Sequence, residues 1–224
     1  MPPSGMETPF VFYASSHISE LTGLRASTLG QLLELIKDVP GASIYHHTHR
    51  FLQQHQYLSP EPPNDFSYWV ADCLGDVELG EKLASIDTMQ FLTIRSLREK
   101  ITATIEKHLE ADPLVKMRFA RSGEEFHFIK SISFVFPTNY VAHDLDEFIQ
   151  ALKKVTIDSI YFHIFEARLR LEKPVNDFSN WIGSAIGDKQ LADKISRLDP
   201  YTYTLEDLRN KIIYLIQKRV IRSV

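Results

Sequence analysis

Only one cysteine, Cys73, occurs among the 224 residues. No intramolecular disulfide can form, and a reducing compartment is the expectation that follows. No apolar run approaches the roughly 18–20 residues of a membrane span. The N-terminal stretch Met1-Pro2-Pro3-Ser4-Gly5-Met6-Glu7 lacks a basic start followed by a long apolar segment, so it does not read as a secretory signal. Together these absences predict a soluble, cytoplasmic protein with no membrane partner. Neither sign of charge dominates: 25 Lys and Arg stand against 29 Asp and Glu, a formal net charge of −4. That balance gives no general attraction for nucleic acid, although it leaves room for a local basic patch. With 9 glycines in the chain, no glycine-rich phosphate loop appears. There is also no serine-nucleophile elbow and no paired-cysteine metal motif.

What the chain does have is a second copy of itself. Ser43-Ile44-Tyr45 and His47 return as Ser159-Ile160-Tyr161 and His163. Asn64-Asp65-Phe66-Ser67 and Trp69 return as Asn176-Asp177-Phe178-Ser179 and Trp181, and Gly75-Asp76 returns as Gly187-Asp188. Between 62 and 87, 11 of 26 positions match their partners in 174–199, against roughly one or two expected from average residue usage. The period is 116 at the front, 112 in the middle and 111 at the end, so copy one carries extra residues near 57–61 and 88–92. A period of that size is a domain and not a short solenoid unit. The repeats read as 10–110 and 126–221, joined by a linker over 111–125, and the two are expected to form one globular unit.

Each copy reads as the same series. Phe10-Val11-Phe12 and Phe126-His127-Phe128 are short extended stretches, as is 132–136. Helical stripes then follow: Leu29, Leu32, Leu33 and Ile36 in copy one, Leu145, Phe148, Ile149 and Leu152 in copy two. Thr28, Asp76, Thr93 and their counterparts Asp144, Asp188 and Thr204 stand at N-cap positions. Gly75 and Gly187 stand where a left-handed residue closes a helix. The fold class predicted is mostly α, an all-α duplication of two homologous five-helix halves. They would pack about a pseudo-twofold axis, with minor short extended segments.

Few residues point to chemistry. His46, His47, His49 and His55 form a cluster, but helical zinc motifs pair histidines four apart with an intervening glutamate, and that is absent. In the copy His46 becomes Phe162 and His49 becomes Phe165, so no metal is expected. His47 and His163 survive the duplication on apolar faces. One reading makes each a buried neutral histidine bonded to a carbonyl or side chain. The other makes them the lining of a shared pocket, with Tyr45 and Tyr161 supplying hydroxyls and Asp65 and Asp177 in support. Asn64-Asp65 and Asn176-Asp177 are expected first of all as helix caps. Phe66, Trp69, Phe178 and Trp181 have core spacing, and Cys73 reads as a small core hydrophobe.

The stretches 43–51 and 62–66, with 161–168 and 176–178, are similar to a prokaryotic family known only as a domain of unknown function, number fifty-seven fifty-two in that series. The resemblance runs over about 10–216 and implies that both copies form one unit. It implies no activity, cofactor or catalytic residue. Two functions remain open: a binding or regulatory module for a protein or small-molecule partner, or a small-molecule enzyme with a His/Asp acid–base pocket between the repeats. No cofactor is expected under either.

Overall fold

The computed structural model describes residues 8–50, 64–198 and 203–221, apart from the Met89 side chain. Two long strands, β1 (Phe10–Ala26) and β2 (Phe126–Ala142), pair with each other as an antiparallel two-stranded ribbon. Between them lie α1 (Leu29–Asp38), α2 (Gly41–Tyr45), α3 (Asp65–Asp72), α4 (Val77–Ala84) and α5 (Ile94–Ala111). After β2 come α6 (Leu145–Leu152), α7 (Ile157–Tyr161), α8 (Ala167–Leu171), α9 (Asp177–Ser184), α10 (Lys189–Ser196) and α11 (Leu205–Ile221). None of these helices is long and apolar enough to cross a membrane.

The ribbon corrects the mostly-α prediction: the chain is α/β, and its extended segments are not minor. Each strand has 17 residues. Only the ends of the strands touch a helical core, with Phe10, Phe12, Phe126 and Phe128 buried. Along 18–21 and 132–137 every residue is exposed. A strand wetted on both faces needs no alternation of apolar and polar residues, so the period-two signal is confined to the Phe-x-Phe pairs and the short stretch 132–136 and does not show the full length of either strand. What holds the rest of the strand is pairing with a partner more than 100 positions away, which a local pattern cannot register.

The chain divides into two compact units, crossing between them at Ser16/His17 and at Ile132/Ser133. Unit I is His17–Ile132, and unit II is Met1–Ser16 with Ser133–Val224. The helices of copy one therefore share a unit with the Phe126–Phe128 end of β2, and the helices of copy two with the Phe10–Phe12 end of β1. The two repeats have exchanged strands.

In unit I, Phe126 and Phe128 join Leu32, Ile36, Phe66, Val70 and Leu97 in one apolar core. The segment after α5 adds to it, for Val115 sits buried in a 3₁₀ turn. In unit II, Phe10 and Phe12 join Phe148, Phe178, Ile182 and Leu208. The expected caps close their helices: Thr28, Asp76, Thr93, Asp144 and Asp188 each accept a backbone N–H from the first turn. Gly75 (φ 66°) and Gly187 (φ 78°) take the left-handed conformation.

Candidate functional site

The two conserved-by-duplication histidines sit in the same local structure. α2 runs into a π-helical turn at His46–Arg50, and α7 into another at Phe162–Glu166. Turns of this kind are uncommon and often mark functional positions. In unit I the imidazole of His47 is fully buried, with Nδ1 2.6 Å from Asp65 Oδ2. Its Nε2 accepts the backbone N–H of Ile129, on β2, at 2.9 Å. In unit II His163 repeats this, with Nδ1 2.7 Å from Asp177 Oδ2 and Nε2 accepting the N–H of Tyr13, on β1, at 2.8 Å. Because Nε2 accepts in each case, the ring proton belongs on Nδ1, where it is donated to the carboxylate. Both ring nitrogens are then spent. Burial lowers the His163 pKa, against the pull of the Asp177 carboxylate, and so favours this neutral form.

The rest of the strand clamp follows the same duplication. Trp69 Nε1 donates to the Glu124 carbonyl and Trp181 Nε1 to the Thr8 carbonyl, each two residues ahead of the buried Phe-x-Phe. Phe126 lies 4.6 Å from the His47 ring and Phe10 4.9 Å from His163. One bond differs. Ser159 Oγ donates to the Tyr13 carbonyl at 2.6 Å, whereas its counterpart Ser43, equally buried, has no partner among the described residues.

The Asn-Asp pairs divide their labour. Asn64 and Asn176 are the caps, accepting from Ser67 and Ser179, while their amides donate to the carbonyls of Leu83 and Ile195. An aspartate at that position could accept but could not donate. The neighbouring Asp65 and Asp177 are thereby free to turn to the histidines. Phe66 and Phe178 are fully buried, as expected of core residues, and Trp69 and Trp181 nearly so. The tyrosines go elsewhere: Tyr45 stacks with His49 and His17, and Tyr161 with Phe165. Of the histidine cluster, His46 Nδ1 meets Ser131 Oγ at 2.9 Å, and His55 lies outside the described residues. Among the described residues no group of three His, Cys, Asp or Glu gathers to hold a metal.

A cleft of about 710 Å³ opens beside the unit II clamp. Phe10, Tyr13, Phe162 and Trp181 give it aromatic walls, and His163, Asp177 and Asn180 add polar groups. Arg170 also lines it, bonded to Asp177 Oδ2 at 2.5 Å with its guanidinium 4.6 Å over the Phe162 ring. Asp177 is only 13% exposed, so this ion pair is partly shielded. Arg170 and Ser131 lie outside the motifs that mark the duplication. Arg170 stands opposite Gln54 in the other copy, and Ser131 falls between the extended stretches 126–128 and 132–136, where no local pattern points to a polar partner.

Residues 7–217 match the model of a family of unknown function, DUF5752. Among solved structures, OrfY from Thermoproteus tenax is similar in fold and sequence. It is 30% identical, with a TM-score of 0.80, over 96% of this chain and 97% of that one. No curated protein matches the chain.

Proposed function

The chain belongs to that family of unknown function, which assigns it no activity, and we propose that it is a non-catalytic binding module whose ligand occupies the cleft beside His163, Asp177 and Arg170. The observation that carries this reading is the engagement of both ring nitrogens of His47 and His163. A general base needs a free lone pair directed at substrate. Each histidine has given its lone pair to a strand N–H and its proton to an aspartate, so it fastens the exchanged strand. The cleft has the character of a ligand site: aromatic walls with a few convergent polar groups. A small organic ligand or a side chain of a protein partner suits it, one that stacks on Trp181 or Tyr13 and bonds to Asn180 or Arg170. We place its action in the cytoplasm, on the strength of the lone cysteine.

A thermal-shift screen of a fragment library against the whole chain tests the reading. A ligand of the folded state raises Tm by mass action, and its effect should vanish in Arg170→Ala or Asn180→Ala. Hits that survive both substitutions, or a library without hits, would count against the cleft. An acid–base enzyme is the second reading, with the pocket moved from between the repeats to this cleft lined by unit II residues, because Asp177, His163 and the cleft are contiguous. It requires Tyr13 N–H to leave Nε2, which ¹⁵N spectra of His163 during titration with a hit would reveal.

A further inference from the structure

Unit I holds a second cleft, of about 690 Å³, far from its histidine clamp in sequence and built from α4, the 3₁₀ turn at Thr88–Gln90 and α5. Its lining is basic. Lys100 and Lys107 project from one face of α5 with Ala103, Thr104 and Ala111, and Lys82 faces them from α4. His108 is at the same wall. Its Nε2–H donates to Asp76 Oδ2 at 2.9 Å, which leaves Nδ1 to accept from Lys82 Nζ at 3.4 Å. Ser85 and Gln90 add neutral hydrogen-bonding groups, and Ile86 and Phe91 an apolar floor.

The negative charges nearby are few. Asp87 lines the cleft and accepts from Gln90, and Glu78 binds Lys82 from outside it. Lys100 and Lys107 enter no ion pair among the described residues. Three ammonium groups border one cleft, two of them without an ion-pair partner among the described residues, and an anion bound there would be attracted by all three.

The duplication supplies an internal comparison. Lys82, Lys100 and Lys107 return as Lys194, Lys211 and Lys218, and His108 returns as Arg219, which binds Asp188 as His108 binds Asp76. Ala103, however, returns as Tyr214. In unit II the Lys211 and Lys218 ammoniums sit 5.8 and 5.7 Å from the Tyr214 ring. The phenol occupies the face that Ala103 leaves open and engages both cations. The same charges thus border an open cleft in unit I and an aromatic side chain in unit II.

We propose that the unit I cleft binds the phosphate group of a small phosphorylated metabolite. Lys82, Lys100 and Lys107 would hold the phosphate, with Ser85, Thr104 and Gln90 donating to its oxygens or to the organic part. The cleft can take a phosphate together with a sugar or a base, so a sugar phosphate and a nucleotide share this chemistry. The site is independent of the cleft beside His163.

Isothermal titration of the full chain with inorganic pyrophosphate, a hexose phosphate and a nucleoside monophosphate tests the proposal and separates these sources. At least one should bind, with amide shifts at Ser85, Gln90, Phe91 and Thr104. Lys100→Ala with Lys107→Ala, both at exposed helical positions, should weaken binding at least tenfold without loss of helicity. Ala103→Tyr keeps every charge but fills the face as Tyr214 does, and should abolish binding. Lys211→Ala with Lys218→Ala should leave it unchanged. The proposal is overturned if none of the three probes binds, if binding survives Ala103→Tyr, or if only long polyanions such as heparin bind.

Discussion

A hydrogen bond made in one copy and missing in the other gives a sharp comparison at the scale of single residues. Ser159 Oγ donates to the strand carbonyl of Tyr13, while Ser43 is buried with no partner among the described residues. Ser159→Ala should cost about 1 kcal/mol in urea unfolding, the usual net worth of such a bond, and Ser43→Ala close to nothing. Histidine burial sets a pH dependence. Burial pushes the His46 imidazole down to about 4, and it lowers His163 in the same direction. Both titrate near 6.5 in the unfolded chain. Below 6.5 the unfolded chain therefore holds protons that the folded chain refuses. Stability contributed by these groups is complete above 6.5 and drains away as the pH falls toward the folded values. For His46 alone the loss between pH 7.5 and 5 should be about 2 kcal/mol. Urea midpoints at the two pH values measure it, and His46→Phe, the residue that copy two carries at Phe162, should make the decline shallower.

Among the elements, the ribbon ends matter most, because each seats two phenylalanines in a core belonging to the other repeat's helices. Phe12 lies against Phe148 and His163, and Phe128 against His47 and Phe66. Phe12→Ala should cost about 3–5 kcal/mol. The damage should fall on the wrong repeat from the viewpoint of sequence. Hydrogen exchange should rise in α6–α11 and not in α1–α5, although α1 begins 17 residues after Phe12. Phe128→Ala should do the reverse. Exchange that rises beside the substitution in sequence would contradict the strand exchange. The helices themselves were legible in advance: Leu29 to Ile36, Phe66 to Val70 and Leu97 to Ile105 lie buried at helical spacing, with the caps read from Thr28, Asp76 and Thr93. The ribbon was legible only as the short extended stretches 10–12, 126–128 and 132–136; its length was not, because Ile18 to Leu21 and Ile132 to Pro137 face water and bury no alternate face.

For the whole molecule, strand exchange means that a repeat cut out by itself is incomplete. A chain ending at Glu124 keeps α1–α5 but loses Phe126, Phe128 and the N–H of Ile129 that His47 accepts. It still carries Phe10-Val11-Phe12, on a strand that runs straight into α1 and leaves little chain for folding back. Such a fragment should form a dimer, each copy's strand completing the other's core. Light scattering should return twice the monomer mass, and a stable, cooperatively folding monomer would refute the expectation.

The amino-acid sequence alone determined the duplication, the helices with their caps, and which residues survive in both copies. Those features rest on interactions a few positions long, so they are written in local spacing. The site was half legible: His47 with Asp65 and His163 with Asp177 stood out as repeated pairs. Only the tertiary structure decided that each pair grips a strand N–H, that Asn64 and not Asp65 is the cap, and that the strands change places. The strand contacts join groups more than 80 residues apart, and backbone hydrogen bonds at that range leave no periodic mark in the side chains, while the choice of cap rests on the Asn64 amide reaching the Leu83 carbonyl 19 positions on.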